Sequence, residues 1–163
     1  MKSYFLMLCL ALAPMAAKAD TGVTQFAVSG PLMVLDGDAF WGANFSAFHG
    51  VTEDVDVGGE TGFFIHSANG YTAWVIPVIP TFLYHFDIGA PTFKPFLGLG
   101  LGVGITHSKV SILGASSSGT SVNFEGLVHL GAKIGESKRF FTDMKLGLLD
   151  SNFVFLPTIG WVF

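Results

Sequence analysis

The stretch PFLGLGLGVGI, residues Pro95–Ile105, decides the fold class of this chain, because glycine alternates there with leucine or another aliphatic residue. Glycine at every second position from Gly98 to Gly104 would destabilise a helix, since each glycine costs about 1 kcal/mol relative to alanine. The same spacing suits a strand, whose side chains alternate between two faces. One face of this strand is therefore bare, and the other is apolar.

The two-residue period continues in seven further segments, which gives eight predicted strands of about ten residues or more, enough to cross a bilayer as tilted strands. They are Thr24–Leu35, Phe40–Val51, Val55–His66, Ala73–Asp87, Phe93–His107, Val122–Ile134, Phe140–Asp150 and the run that ends at Phe163. One face is large and free of charge, which is typical of a wall that contacts lipid. Backbone groups in lipid need hydrogen-bond partners, so the sheet must close. The pattern predicts an all-β protein, an eight-stranded antiparallel up-and-down transmembrane β-barrel.

Charged and histidine side chains collect on the opposite, inward face of the predicted strands. They are Asp56, Glu60, His66, Glu125, His129, Lys133, Asp143 and Lys145. Because buried charges need partners, we expect a polar network that fills the narrow lumen. The five histidines lack the spacing of a metal site, and the glycine spacing matches no nucleotide-binding loop, so neither a metal nor another cofactor is expected.

The amino terminus has the features of an export signal. Lys2 is followed by the apolar run Tyr4–Leu12, and small residues flank Lys18 before the expected cleavage site. We therefore predict a signal peptide at residues 1–19 and one barrel domain at residues 20–163. The only cysteine, Cys9, lies in this leader, so the barrel has no thiol and no disulfide.

Composition excludes two classes of protein. Half of the 163 residues are hydrophobic and only 12 % are charged, against about 25 % in ordinary soluble domains, so the chain is not disordered. The net charge of −4 becomes −6 when Lys2 and Lys18 are removed with the leader, which makes nucleic acid an unsuitable partner.

An up-and-down path from a periplasmic amino terminus assigns each connection to one side of the membrane. The outer links are residues 36–39, 67–72, 108–121 and 150–151, and the periplasmic links are residues 52–54, 88–92 and 135–139. Trp41 and Trp74 each follow an outer link, and Trp161 lies near the periplasmic exit. These positions are typical of the aromatic belts at the two membrane surfaces.

These features together resemble the small eight-stranded barrels of the bacterial outer membrane, a superfamily that includes the OmpA transmembrane domain, OmpX and the opacity-type proteins. The alternating carboxy-terminal residues Phe155, Ile159, Trp161 and Phe163 resemble the insertion signal that the barrel-assembly machinery reads. The Pro95–Gly104 segment resembles the fifth strand of such barrels. The resemblance implies insertion among outer-membrane lipids and specifies architecture better than activity.

For function, we expect a non-enzymatic, structural or porin-like barrel. A surface-adhesion barrel that acts through the outer loop 108–121 is the alternative. A lipid A-modifying enzyme is a remote alternative, because some small barrels use a histidine and a serine near the outer leaflet. The adjacent pairs His66–Ser67 and His107–Ser108 are the candidates for such a site, although neither reproduces a recognisable motif.

Four prolines, Pro31, Pro77, Pro80 and Pro157, fall within predicted strands, where each removes a donor from the ladder. Bulges are the simplest explanation. A second hypothesis is a contact between subunits through Pro77, Pro80 and Phe82, by which barrels assemble into a homo-oligomeric ring that encloses lipid or solute.

Overall fold

The structure is a computed structural model that describes residues 21–68, 70–112, 115–137 and 139–163. The predicted signal peptide, residues 1–19, lies outside the described residues, and its cleavage stays a prediction. Within the described ranges, no helix is long and apolar enough to cross a membrane.

Eight strands form one closed barrel in chain order. They are β1 (Thr24–Leu35), β2 (Asp38–Gly50), β3 (Val55–Ala68), β4 (Tyr71–His85), β5 (Phe93–Ile112), β6 (Ala115–Ile134), β7 (Phe140–Leu149) and β8 (Asn152–Val162). Each strand pairs antiparallel with the next, and β8 pairs with β1 to close the ring. The prediction of an eight-stranded up-and-down barrel is confirmed.

The connections divide the barrel into two ends. The hairpin end carries tight turns, such as the one at Asp36 and Gly37, where both residues have positive φ (50° and 87°). That conformation is the one that a two-residue hairpin turn requires. The terminal end carries the connections at residues 51–54, 86–92 and 135–139, together with both ends of the barrel domain.

The hairpin of β5 and β6 extends beyond the rest of the hairpin end. These strands have 20 residues each and pair as far as Ile112 and Ala115. The pairing of β4 with β5 stops at Val110, and that of β7 with β6 stops at Glu125. The prediction of a loop at 108–121 is therefore wrong: the segment is largely strand. Its serines lack apolar alternation, and cross-strand pairing with β5 supplies the order. Residues 111–124 are called the projecting hairpin below.

The prolines leave the registers unchanged. In the β3–β4 pair, Thr61 lies opposite Val78 and Phe64 opposite Val75, which is one constant register across Pro77. The β4–β5 register is likewise constant across Pro80. The predicted bulges are therefore absent at these positions, because the missing N–H leaves a local gap in the ladder and inserts no extra residue.

The outward face is apolar, as lipid contact requires. Leu101 and Phe124 expose 63 % and 65 % of their surfaces, although both are large hydrophobic residues. The inward face forms the core, and it is divided into layers along the barrel axis.

Near the hairpin end, an apolar plug fills the lumen. It consists of the buried residues Met33, Phe40, Phe64, Ala73, Val75, Ile79, Leu127, Leu149, Val154 and Leu156. The polar network expected for the whole lumen occupies only the part between this plug and the terminal end. The sequence pattern assigned these residues to strands, but parity by itself does not separate apolar and polar layers within a lumen.

The polar network has two groups. In the first, nearer the terminal end, the Asp56 carboxylate accepts hydrogen bonds from His85 Nε2 (2.7 Å) and Lys133 Nζ (3.2 Å). Lys133 also donates to Gln25 Oε1 at 2.9 Å. These residues are buried, so the pairing compensates the loss of water around both charges.

The second group centres on Glu60. Its carboxylate accepts hydrogen bonds from Lys145 Nζ and, at 2.7 Å, from Asn44 Nδ2. His129 joins it to Asp143, because its Nδ1 lies 2.8 Å from Asp143 Oδ2 and its Nε2 lies 3.4 Å from Glu60 Oε1. The contact at Nε2 lacks hydrogen-bond geometry.

A cavity of about 30 Å³ remains beside the second group, lined by Glu60, Lys145 and aromatic residues such as Phe48 and Phe141. One water needs roughly 10–15 Å³ by this measure, so the cavity has room for about two. A lumen filled in this way does not offer a path for solutes through one barrel.

A matched pair of glycines tests the packing of the wall. An added Cβ at the inward Gly147 would overlap the carbonyl oxygen of Gly126, whereas at the outward Gly59 it would lie 3.6 Å from Ile79 O. We expect Gly147→Ala to lower the free energy of unfolding by about 1–3 kcal/mol. Gly59→Ala should change it by less than about 0.5 kcal/mol. Urea unfolding in detergent, followed by tryptophan fluorescence, measures both, and equal losses would contradict this packing.

Lys145→Met tests the second group of the network. The substitution leaves the Glu60 carboxylate buried without its lysine, so we expect a loss of about 3–5 kcal/mol of unfolding free energy. Glu60→Gln in the same chain should recover part of that loss. Lys94→Met is the control, because Lys94 Nζ lies 3.9 Å from the exposed Asp54 carboxylate, and it should cost about 1 kcal/mol or less. A similar loss for both lysines would contradict the role of the network.

Candidate active site

The lumen network is closed to a large substrate. Seven of the eight predicted inward residues are buried in the lumen. Six of them join the two groups of the network, whereas Glu125 lies opposite the plug residue Leu149, and its Oε2 has no hydrogen-bond partner among the described residues. The carboxylate–histidine contacts of His85 and His129 lie inside the barrel. The eighth, His66, lies apart from the network, near the hairpin end, where its Nδ1 is 2.9 Å from Ala39 O. A ligand too large to enter the lumen can therefore reach only the outer surface of the barrel.

The two adjacent histidine–serine pairs do not form dyads. Consecutive strand residues point to opposite faces, so Ser67 lies on the outer wall, where its hydroxyl is 3.0 Å from Thr72 Oγ1, whereas His66 faces the lumen. His107 and Ser108 are separated in the same way, with His107 outward.

His107 instead pairs across the strands with Thr120. The two residues are directly opposite in the β5–β6 register, and His107 Nδ1 lies 2.8 Å from Thr120 Oγ1. When the ring carries its proton on Nε2, the threonine hydroxyl donates to Nδ1. This is the arrangement of a hydroxyl and the base that can activate it.

Trp74 holds the imidazole from the other side. It is the β4 residue opposite His107, and the two rings stack with centroids 5.2 Å apart and an interplanar angle of 19°. The stacked face restricts rotation of the imidazole and leaves Nδ1 directed at Thr120. Trp74, His107 and Thr120 are called the outer-wall triplet below.

The triplet lies where the outer wall changes from apolar to polar. Two residues towards the terminal end, the wall presents Ile105 and its partner Val122. Two residues towards the hairpin tip, it presents Lys109 and its partner Ser118. Such a boundary, with a tryptophan at it, is typical of the membrane–water interface.

The described residues contain one similar pair at the terminal end. There Thr24 Oγ1 lies 3.1 Å from His49 Nδ1, also on exposed positions. Within the described residues, no group of three or more His, Cys, Asp or Glu side chains is arranged to hold a metal ion.

The tryptophans expected in aromatic belts lie on the outer wall. Trp41 pairs with Ile65, which in turn pairs with Trp74, so these two tryptophans are neighbours at the hairpin end. Trp161 pairs with Phe140 towards the terminal end. Their contact with the membrane surfaces stays a prediction.

The carboxy-terminal residues expected to form the insertion signal lie on β8 and at its end. Ile159 and Trp161 are exposed on the outer wall, and Phe155 is partly exposed. The N–H of Phe163 donates to Phe26 O at 2.8 Å, which ties the terminus to β1.

The three residues of the proposed subunit contact are divided between the two faces. Pro80 and Phe82 are exposed on the outer wall, whereas Pro77 is buried. A neighbouring barrel could therefore reach Pro80 and Phe82 but not Pro77. This part of the predicted contact is wrong because Pro77 takes the inward parity of β4.

Sequence reasoning missed several residues of both sites. His85, Asn44 and Gln25 belong to the polar network, and their inward parity was the available signal. Thr120 could not be found from spacing, because its partner is 13 residues away and only the hairpin register brings them together.

Three solved structures similar to this one are outer-membrane barrels. Ail, the attachment invasion locus protein of Yersinia pestis, aligns with a TM-score of 0.65 at 16 % identity, over 88 % of this chain and 99 % of Ail. Neisserial surface protein A gives 0.58 at 15 % identity, over 85 % and 94 %. The amino-terminal barrel of Pseudomonas aeruginosa OprF gives 0.53 at 17 % identity, over 88 % and 100 %. These similarities show an outer-membrane β-barrel fold.

No curated protein matches this chain significantly. A family model does match it: PagL, lipid A 3-O-deacylase, over residues 39–148. The match spans β2 to β7 and includes the outer-wall triplet. It overturns the prediction of a non-enzymatic protein, because a histidine and a hydroxyl that lie on neighbouring strands form no motif in the sequence. The chain belongs to the PagL family of lipid A 3-O-deacylases.

Proposed function

We propose that this protein hydrolyses an acyl ester of lipid A, or of a closely similar glycolipid, at the outer-wall triplet. The family supplies the reaction class. The observation that supports this site is the 2.8 Å contact between His107 Nδ1 and Thr120 Oγ1 on the wall that faces lipid. An ester buried in the outer leaflet reaches that wall by lateral diffusion and need not enter the barrel.

The chemistry follows from the pair. Thr120 Oγ1 attacks the ester carbonyl carbon as its proton passes to His107 Nδ1, and the protonated imidazole then gives that proton to the departing alkoxide oxygen. The products of this half-reaction are an alcohol and an acyl-threonine. Water, deprotonated by the same imidazole, then attacks the carbonyl carbon of the acyl-threonine. The acyl–oxygen bond breaks, the fatty acid is released, and the imidazole returns the proton to Thr120 Oγ1. Trp74 acts here as a positioning residue, because it contacts the imidazole and not the ester.

This site differs from a serine–histidine–acid triad in two respects. Its nucleophile is a threonine, and among the described residues no carboxylate contacts the His107 ring. Stacking on Trp74 replaces the orienting role of the acid, but it supplies no negative charge to stabilise an imidazolium. We therefore expect a slow enzyme.

In the orientation that we propose, the projecting hairpin lies outside the cell and both termini lie in the periplasm. The outer-wall triplet then lies in the outer leaflet. The barrel supports this orientation because both ends of the domain lie together at the terminal end, opposite the long hairpin.

A second candidate function is surface adhesion by the projecting hairpin. The observation that favours it is the edge of β6 before Glu125, which lacks β7 as a neighbour and leaves backbone groups open to pairing.

The hydrolase proposal predicts the loss of activity on removal of either member of the pair. We expect His107→Ala and Thr120→Ala to lower the release of fatty acid from purified lipid A by about 100-fold or more, measured by mass spectrometry of the products. Thr120→Ser should retain activity, because it keeps the hydroxyl. His49→Ala is the matched control at the terminal end and should have full activity. Full activity of His107→Ala, or no release by the unaltered protein, would contradict the proposal.

The orientation is tested with single cysteines, because the only cysteine of the sequence lies in the leader. Ser117→Cys, on the exposed part of the projecting hairpin, should react with a membrane-impermeant maleimide in intact cells. Ser137→Cys, in the connection between β6 and β7, should react only after the outer membrane is opened. The reverse pattern would place the hairpin in the periplasm.

A further inference from the structure

We propose that Lys109 and the recess beside it bind the phosphate group of a membrane-lipid headgroup. The recess lies on the outer wall at the hairpin end, next to the outer-wall triplet. It is lined by Ser67, Ala68, Gly70, Tyr71, Thr72, Lys109 and Ser111. Binding at Lys109 is independent of hydrolysis. The further claim, that it holds the lipid's ester at His107 and Thr120, rests on the proposed function.

The recess is built by backbone conformation. Gly70 forms the floor of the recess. It has a φ of +81°, and a Cβ there would lie 2.6 Å from Ser111 O, so only glycine leaves the floor open. The Ser111 N–H donates to Gly70 O at 2.8 Å, which holds the floor to β5. Beside it, Ser67 and Thr72 place two hydroxyl groups 3.0 Å apart. Hydroxyls and a lysine amine are groups that bind phosphate oxygens.

Lys109 differs from the other lysines that the structure describes. Lys94, Lys133 and Lys145 each have a carboxylate within 4.0 Å, and Lys109 has none. It is exposed on the outer wall, so its charge is available to a ligand. The partner that fits an exposed amine above an apolar wall is an anion anchored in the membrane.

The charge at the hairpin end is unevenly distributed around the rim. The carboxylates of Asp36, Asp38 and Asp150 lie in or beside the turns that join β1 to β2 and β7 to β8. Lys109 lies on β5, across the barrel from the β8–β1 junction. An anionic headgroup is thus repelled from one side of the rim and attracted to the other, where the outer-wall triplet lies.

Spacing links the recess to the triplet. Lys109 and His107 are two residues apart on β5 and share the outward face, so their Cα atoms lie roughly 6.6 Å apart along the strand. Thr72 and Trp74 have the same relation on β4. A lipid whose phosphate contacts Lys109 therefore has its ester region beside His107 and Thr120.

Trp74 provides the readout for binding. The sequence has three tryptophans, so Trp41→Phe and Trp161→Phe leave Trp74 as the only one, and Thr120→Ala prevents turnover. This triple variant is inserted into phosphatidylcholine vesicles that contain bromine-labelled phosphatidic acid, a phosphate monoester, or bromine-labelled phosphatidylcholine. We expect phosphatidic acid to quench Trp74 at about fivefold lower mole fraction, as one exposed ion pair would give.

Lys109→Gln should abolish this preference, and Lys109→Arg should keep it. Lys94→Gln, at the terminal end, is the control and should also keep it. No preference in the triple variant, or a preference that survives Lys109→Gln, would overturn the proposal. Loss of the preference on addition of millimolar inorganic phosphate would assign the recess to free phosphate and overturn the lipid headgroup.

The link to hydrolysis is measured separately. In the protein with Thr120 intact, Lys109→Gln should raise the KM for phosphorylated lipid A about fivefold and leave kcat unchanged. Lipid A from which the phosphates have been removed should show no difference between the two proteins. A lower kcat with unchanged KM would overturn the positioning role. If the protein hydrolyses no lipid, the quenching result still decides whether Lys109 binds phosphate.

Discussion

The requirement that every backbone N–H and C=O in lipid be hydrogen-bonded within the protein controls this structure. A single open edge in the membrane would leave a row of unpaired groups, and the pairing of β8 with β1 removes it. Closure then fixes two surfaces of opposite character, an apolar wall outside and a narrow lumen inside. The site, the network and the plug all follow from the face to which each residue is assigned.

Alternation was sufficient to predict most of this assignment. The period of two in Pro95–Ile105 gives a strand with a bare inner face, and the structure packs neighbouring strands and side chains against those glycines. The same reasoning placed Glu60, Lys145 and Asp143 in the lumen, where they meet. These predictions succeed because strand parity is a local property, which a sequence displays directly.

Properties that depend on register or on depth could not be predicted in this way. Thr120 contacts His107 only because β5 and β6 pair through the Ser-rich segment, which has no apolar alternation. To predict the apolar plug, one must know the register that brings Phe64 and Leu149 to the same level of the lumen. The prolines predict bulges, but a missing N–H is accommodated by a gap in the ladder without an extra residue. The enzyme class came from the family match, since no adjacent motif carries it.

The length of the projecting hairpin limits the directions from which the outer-wall triplet can be approached. Its last paired residues, Ile112 and Ala115, lie five residues beyond His107 and Thr120, which is roughly 17 Å along the strands. Over that distance the hairpin is a wall on one side of the outer-wall triplet, while the membrane plane beside β4 stays open. In the proposed orientation, a bulky object that approaches from outside the membrane would meet the hairpin before it reached the triplet, whereas a lipid would arrive from the membrane side of the hairpin. Access to the proposed site would thus be selected by direction of approach, before any chemical recognition takes place.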